Sequence, residues 1–227
     1  MPRPPLSIPT EGHMPIVTKF LRRAVLVVAF IGTNALGVAQ GPPQSAQTVS
    51  PLAEEHYQRG IAALERKDLR TAIRQFRLAV KYAPKNPVMH NALGGAYLQD
   101  GQADPAVVEF RKAIALSPRF AEAYYDMGRA LEWRQDMDGA ITFYQWTLRL
   151  EPDQPEACVA LGAAKLRLGD VEGSIEQFRA ALKLAPEYAP AHYHLGLALR
   201  RKGDQTHAAA EFAQAHQLDP RLRPPRE

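Results

Sequence analysis

The sequence predicts an all-α protein in which five pairs of antiparallel helices stack into a solenoid. A glycine recurs every 34 residues, and a proline and an aromatic residue recur with the same period. The glycines are Gly60, Gly94, Gly128, Gly162 and Gly196; the prolines are Pro84, Pro118, Pro152, Pro186 and Pro220; the aromatic residues are Phe76, Phe110, Tyr144, Phe178 and Phe212. A fixed period of this length indicates one supersecondary unit stacked on copies of itself.

The positions within each unit predict how its two helices pack. The units begin at Ala53, Pro87, Ala121, Pro155 and Ala189, which places the glycine at position 8, small residues at positions 20 and 27, and the aromatic residue at position 24. Small side chains let the helices cross closely, and the aromatic ring fills the space that they leave. We therefore expect a first helix over positions 1–14 and a second over positions 17–30, with a polar turn between them. The proline at position 32 ends the second helix, because the residue before a proline avoids helical geometry.

The pattern resembles the tetratricopeptide repeat (TPR), which reads W-x2-L-G-x2-Y, then A-x3-F, then P. The resemblance covers residues 53–222, in units 53–86, 87–120, 121–154, 155–188 and 189–222. It implies a right-handed superhelix of five helix pairs. The chain departs from the pattern at position 4, which is often Trp in the family and here is His56, His90, Tyr124, Cys158 and His192.

The fifth unit differs from the others at the positions that face the next repeat. Positions 17, 21 and 28 are apolar in the first four units, but in the fifth they are Gln205, Ala209 and His216. Terminal repeats need a polar outer face for solubility. We therefore expect the fifth unit to be the terminal one, followed by a short tail over residues 223–227.

Residues 1–39 have the parts of a secretory signal peptide. Lys19, Arg22 and Arg23 precede a short apolar run over Ala24–Ile31, and small residues allow cleavage after Ala39. The apolar run is shorter than the ~20 residues of a bilayer span. We expect export to the periplasm or the medium, with residues 40–52 as a flexible linker. The alternatives are an uncleaved leader that anchors the chain in the inner membrane, and a translation start at Met14.

The charge pattern argues against a nucleic-acid partner. The chain has a net charge of +4, of which the leader supplies +3, so that the rest, with 24 basic and 23 acidic residues, is near +1. A nucleic-acid domain should show a basic stripe, and none is visible here. Cys158 is the single cysteine, and we interpret it as a small apolar side chain in the packing slot of position 4.

The sequence indicates neither a catalytic centre nor a cofactor or metal site. His192 and His194 are the one close pair of histidines, and two residues apart on a helix they point to different faces. The other histidines at position 4 share a packing slot with His192. No nucleophile, base and orienting group can be assembled, and we expect the protein not to be an enzyme.

The resemblance implies that the first helices line a concave groove, with positions 2, 5, 9 and 12 facing a ligand. Tyrosine, asparagine and arginine side chains at these positions suit a peptide or protein partner. Tyrosine at position 5 is also common in the family for packing alone. Gly95, at position 9, would let a peptide backbone approach closely, and Arg129 would suit an acidic partner. With position 13 added, the candidate groove residues are Tyr57, Asn91, Tyr125, Arg129, Trp133 and Tyr193.

These observations predict a non-catalytic scaffold or adaptor that binds a peptide or protein in its groove, outside the cytoplasm. One alternative is a component of an envelope, secretion or pilus assembly machine that binds through its edges. The other is an enzyme or metal protein. The family's carboxylate clamp, which binds acidic chaperone tails, is not expected, because only Asn91 matches it and Tyr57 stands in place of its first lysine.

Overall fold

The computed structural model describes residues 50–224, and over this range the chain forms ten α-helices and no strand. Each predicted unit supplies two helices, so the predicted all-α solenoid of five helix pairs is confirmed. The helices are α1 (Pro51–Glu65), α2 (Leu69–Tyr82), α3 (Pro87–Gln99), α4 (Ala103–Leu116), α5 (Ala121–Trp133), α6 (Met137–Leu150), α7 (Pro155–Leu168), α8 (Val171–Leu184), α9 (Ala189–Lys202) and α10 (Gln205–Leu218).

The helices pack in sequence order, each against its neighbour along the chain. The odd-numbered helices are the first helices of the pairs. Two of them also contact the first helix of the following pair, α3 with α5 and α7 with α9. The array therefore curves toward the first helices, whose inner face forms the groove that the resemblance implies.

The repeating aromatic residue packs against the repeating glycine in all five units. The five rings are at most 6% exposed, and a methyl group added at Gly128 would come within 2.5 Å of the Tyr144 ring. The residues at positions 20 and 27 are also buried. This confirms the packing predicted from the period, because a side chain at position 8 would occupy the volume of the ring.

The turns between paired helices share one backbone geometry. Position 15 is left-handed in every unit, with φ of 75°, 90° and 95° at Gly101, Gly169 and Gly203, but also 58° at Lys67 and 61° at Gln135. An aspartate follows in four of the five turns, and its side chain accepts a hydrogen bond from a backbone N–H three residues later. These caps satisfy N–H groups that the start of a helix leaves unpaired.

Position 4 connects the first helix to the preceding unit at His90, Tyr124 and His192. His90 Nε2 lies 2.9 Å from the carbonyl oxygen of Pro84, and its Nδ1 lies 2.6 Å from Glu109 Oε2. Both ring nitrogens therefore face acceptors, which only the doubly protonated imidazolium can satisfy. In agreement, the hydrogen bond to Glu109 raises the pKa of His90. The same two contacts recur at His192, which places these histidines in the packing slot that the repeat predicts.

Gln205, Ala209 and His216 are exposed on the outer face of α10. The predicted signal peptide and the linker up to Val49 lie outside the described residues, as does the end of the predicted tail. Of the helices in residues 50–224, none has the length and apolar character needed to cross a membrane.

Candidate functional site

The predicted groove tyrosines lie on first helices, and each packs against the aromatic residue of its own unit. The ring centroid of Tyr57 is 5.8 Å from that of Phe76, and that of Tyr125 is 5.6 Å from that of Tyr144. Both tyrosines are only 8% exposed. Tyr193 packs in the same way but is half-buried. These side chains are therefore part of the core, and they present an edge to the groove.

Asn91 and Arg129 come together around Asp126, which is not among the predicted groove residues. Asn91 Nδ2 on α3 donates to Asp126 Oδ2 on α5 at 3.2 Å, and Arg129 Nη1 donates to Asp126 Oδ1 at 3.1 Å. Asn91 also donates to Glu122 Oε1 at 3.4 Å. The contact crosses the boundary between the second and third units. Arg129 is thus held by Asp126 rather than standing alone in the groove.

Asp126 and Glu122 could in part have been found from the sequence. Glu122 occupies position 2, which belongs to the stripe predicted to face a ligand. Asp126 occupies position 6, where the other units have Gln58, Ala92, Ala160 and His194. An aspartate that occurs at position 6 of one unit alone could have indicated a special role for Asp126. Position 6 lies outside the stripe that was predicted to face a ligand, however.

Burial dominates the electrostatics of this cluster. Burial raises the pKa of Glu122 to about 8, and the nearby carboxylates of Asp126 and Glu151 add to the rise. Burial also raises the pKa of Asp126, although Arg129 and Asn91 favour its charged form. Two carboxylates are thus held close together with Arg129 paired to only one of them.

Tyr57 lies at the edge of the same cluster. Burial raises the pKa of its hydroxyl, and the carboxylates of Glu122 and Glu54 raise it further. The first helices α1, α3 and α5 therefore each supply a polar group to one region of the groove: Tyr57, Asn91, and the pair of Glu122 and Asp126.

The groove is open next to this cluster. A methyl group added at Gly95 on α3 would meet no atom from elsewhere in residues 50–224 within 4 Å, whereas one added at the neighbouring Gly94 would lie 2.6 Å from the Phe110 ring. Gly94 is therefore required by packing and Gly95 is not. The room above Gly95 is space that a ligand can occupy.

A second polar contact lies one turn further along α5. The Tyr144 hydroxyl donates to Glu132 Oε2 at 2.9 Å, and Arg167 Nη1 on α7 lies 3.8 Å from Glu132 Oε1. Trp133 follows at the end of α5 and is 60% exposed. It lies two helical turns from Tyr125, so the six predicted groove residues do not form one compact site.

The histidine and cysteine side chains considered for catalysis or metal binding pack against other side chains of the fold. His194 stacks on Phe178, with ring centroids 5.6 Å apart. Cys158 is buried, and burial raises the pKa of its thiol. In the part of the chain from 50 to 224, no three or more His, Cys, Asp or Glu residues are grouped so that they could hold a metal ion.

Comparison with known families assigns the class of the protein. Models described as tetratricopeptide repeat match residues 57–110 and 159–223 and residues 122–153, and one described as TPR repeat matches residues 94–132. The chain belongs to the tetratricopeptide repeat family. Proteins of this family and fold are typically non-catalytic and bind proteins or peptides.

Solved structures with the same fold include several TPR proteins. MamA from Desulfovibrio magneticus RS-1 is 25% identical, with a TM-score of 0.68 over 76% of this chain and 98% of that one. PilF of Pseudomonas aeruginosa is 20% identical, with a TM-score of 0.67 over 73% and 76%. YrrB, described as a TPR protein with an unusual peptide-binding site, is 19% identical, with a TM-score of 0.59 over 74% and 87%. No curated protein matches the chain.

Proposed function

We propose that this protein is a non-catalytic scaffold that binds an extended segment of a partner protein in the groove formed by its first helices. The observation that carries the proposal is the open space above Gly95, next to polar and aromatic side chains that α1, α3 and α5 hold in place. A glycine inside a helix costs about 1 kcal/mol relative to alanine. Since packing does not require Gly95, close approach of a ligand gives a reason for it.

The composition of the groove wall supports a peptide as the ligand. The rigid ring of the half-buried Tyr193 offers contact area at a small cost in side-chain entropy, and Asn91 and Glu122 offer hydrogen-bonding groups to a backbone or a side chain. The fold is also that of YrrB, a protein described as having a peptide-binding site.

The proposal is tested by blocking the groove at Gly95. The chain is immobilised and a displayed library of random nine-residue peptides is selected against it. We expect the wild type to enrich peptides and Gly95→Leu to lose about tenfold or more of their affinity, while gaining stability from its better helix propensity. Ala115→Leu, at an exposed position of α4, is the matched control and should bind as the wild type does. Equal affinity in all three proteins would refute binding in the groove.

We further propose that the protein acts outside the cytoplasm, on the strength of the basic, apolar and small-residue segments within residues 1–39. Expression of the full chain in a bacterial host, followed by fractionation and N-terminal sequencing, tests this. A mature N-terminus at Gln40 in the periplasm or medium is expected. A protein that starts at residue 1 or 14 and stays with the membrane would indicate an uncleaved anchor, and one in the cytoplasm would refute export.

A further inference from the structure

One region of the groove holds a buried acceptor without a donor, and a carboxylate without a counter-ion, within residues 50–224. It consists of Tyr57, Asn91, Glu122 and Asp126, and we call it the carboxylate cluster. Asn91 and Asp126 are 5% and 7% exposed. Three first helices contribute to it, so it lies on the face along which the array curves.

The positive charge near the carboxylate cluster is assigned to one carboxylate only. Arg129 Nη1 lies 3.1 Å from Asp126 Oδ1, and this is its ion pair. Among residues 50–224, no lysine, arginine or histidine nitrogen lies within 4 Å of a Glu122 oxygen. Glu122 instead has the carboxylates of Asp126 and Glu151 as its charged neighbours. When Glu122 is ionised, above its raised pKa, it has no counter-ion among these residues, although buried charges are normally paired.

The amide of Asn91 points to the same conclusion independently. Its nitrogen donates to both carboxylates, but its oxygen, Oδ1, is buried and has no hydrogen-bond partner in the described part of the chain. A buried acceptor without a donor costs about 1–3 kcal/mol, and native proteins rarely leave one in that state. The cluster thus contains an acceptor that a ligand with N–H groups would satisfy.

We propose that the carboxylate cluster binds the ammonium group of a lysine side chain in the peptide that the groove holds. An ammonium group carries one positive charge and three N–H donors, which match the counter-ion that ionised Glu122 lacks and the acceptors on Glu122, Asp126 and Asn91. The open space above Gly95, one turn along α3 from Asn91, gives the peptide backbone room beside the cluster. This inference rests on the proposed function and names the partner's anchoring residue.

Two synthetic peptide libraries test the inference on the full chain. Both contain nine-residue peptides with blocked termini and uncharged residues at every position except the centre, which is lysine in one library and norleucine in the other. Binding is measured at about pH 9, where the lysine ammonium, with a pKa of about 10.4, is still charged. We expect the wild type to retain the lysine library about tenfold more strongly than the norleucine library.

Variants then assign the preference to the cluster. Glu122→Gln and Asp126→Asn keep the shape of the side chains and should each bring the two libraries to near-equal retention. Glu176→Gln removes the same charge from the exposed face of α8 and should leave the preference intact. Thermal unfolding of each variant establishes that it is folded before binding is measured.

The outcomes separate this inference from the proposed function. Equal retention of both libraries by the wild type would overturn the lysine site but leave peptide binding in place. A lysine preference that survives in both Glu122→Gln and Asp126→Asn would also overturn it. Retention of neither library would overturn the inference together with the proposed function.

Discussion

Two neighbouring glycines in α3 should respond to the same substitution with opposite signs. Gly94 and Gly95 both lie inside the helix, where alanine is favoured over glycine by about 0.8–1.0 kcal/mol. A methyl group at residue 95 meets open space, so Gly95→Ala should stabilise the protein by about that amount. At residue 94 the same methyl group would lie 2.6, 2.8 and 3.0 Å from three atoms of the Phe110 ring.

The cost at residue 94 follows from the packing of that ring. Phe110 is fully buried between the helices of the second unit, so neither the ring nor the helix can move aside without disturbing the core. Overpacking of this kind costs about 1–3 kcal/mol. After the gain in helix propensity is allowed for, Gly94→Ala should lose about 0–2 kcal/mol. The gain in helix propensity is common to both variants, so they should differ by the overpacking cost alone, about 1–3 kcal/mol.

Chemical denaturation followed by circular dichroism measures both free energies of unfolding under the same conditions. A parallel thermal scan should separate the two melting temperatures by several degrees, since about 1 kcal/mol shifts a domain of this size by roughly 2–4 °C. If both variants move in the same direction, or if Gly94→Ala is the more stable, then the ring of Phe110 does not pack against Gly94 as described and the assigned repeat register is refuted.

Three further predictions concern a turn and two buried ionisable groups. Gln135 holds φ at 61°, so Gln135→Gly should stabilise by about 0.5–1 kcal/mol in denaturant titrations, and a loss would contradict the strain assigned to that turn. Burial, with Asp126 and Glu151, raises the pKa of Glu122 from 4.5 to about 8. The stability of the wild type should therefore fall as the pH rises from about 4.5 to 8, whereas that of Glu122→Gln should not show this fall. At pH 8 the variant should be about 1–3 kcal/mol more stable than the wild type, and parallel pH profiles of the two proteins would contradict this. The raised pKa of His90 means that its stabilisation is complete below about pH 6.5 and lost as the pH rises through the raised value. His90→Gln should thus cost about 1.5–3 kcal/mol at pH 6 and less at pH 9, and a pH-independent difference would contradict the charged pair.

The helices could be predicted closely from the sequence because every unit obeys the same local rules. The second helices begin and end at positions 17 and 30 as predicted, and the first helices end at position 13 or 14. The backbone at position 15 is left-handed in every unit, so the helix boundaries stay in register even in the two units where Lys67 and Gln135 replace glycine. Repetition supplies five observations of one structure, so a departure in one unit does not obscure it.

The contacts of the candidate site could be predicted only in part. The spacing of 19 residues between His90 and Glu109 recurs between His192 and Glu211, so that pairing had a signal in the sequence. The contact between Asn91 and Asp126 has no such signal, because it occurs once and crosses from one unit to the next. A single sequence reveals the contacts that recur in several units. The polar contacts of the groove occur in one unit only, so the sequence does not reveal them.

The groove side chains of the third unit depart from the fourth in a way that packing does not explain. Positions 6, 9 and 12 are Asp126, Arg129 and Glu132 in the third unit, and the fourth unit packs the same fold with Ala160, Ala163 and Leu166. Buried charges, even when paired, often contribute less to stability than apolar residues of similar volume. Their presence in the third unit is thus better explained by binding than by folding.

Transplanting the groove positions of the fourth unit into the third tests this reasoning. The variant carries Asp126→Ala, Arg129→Ala, Glu132→Leu and Tyr144→Phe, the last because the Tyr144 hydroxyl would otherwise lose its acceptor on Glu132. We expect a free energy of unfolding no lower than that of the wild type, together with loss of the preference for lysine-containing peptides. A substantial loss of stability in the folded variant would show that these charges hold the helices together, and the argument that they are kept for a ligand would then fail.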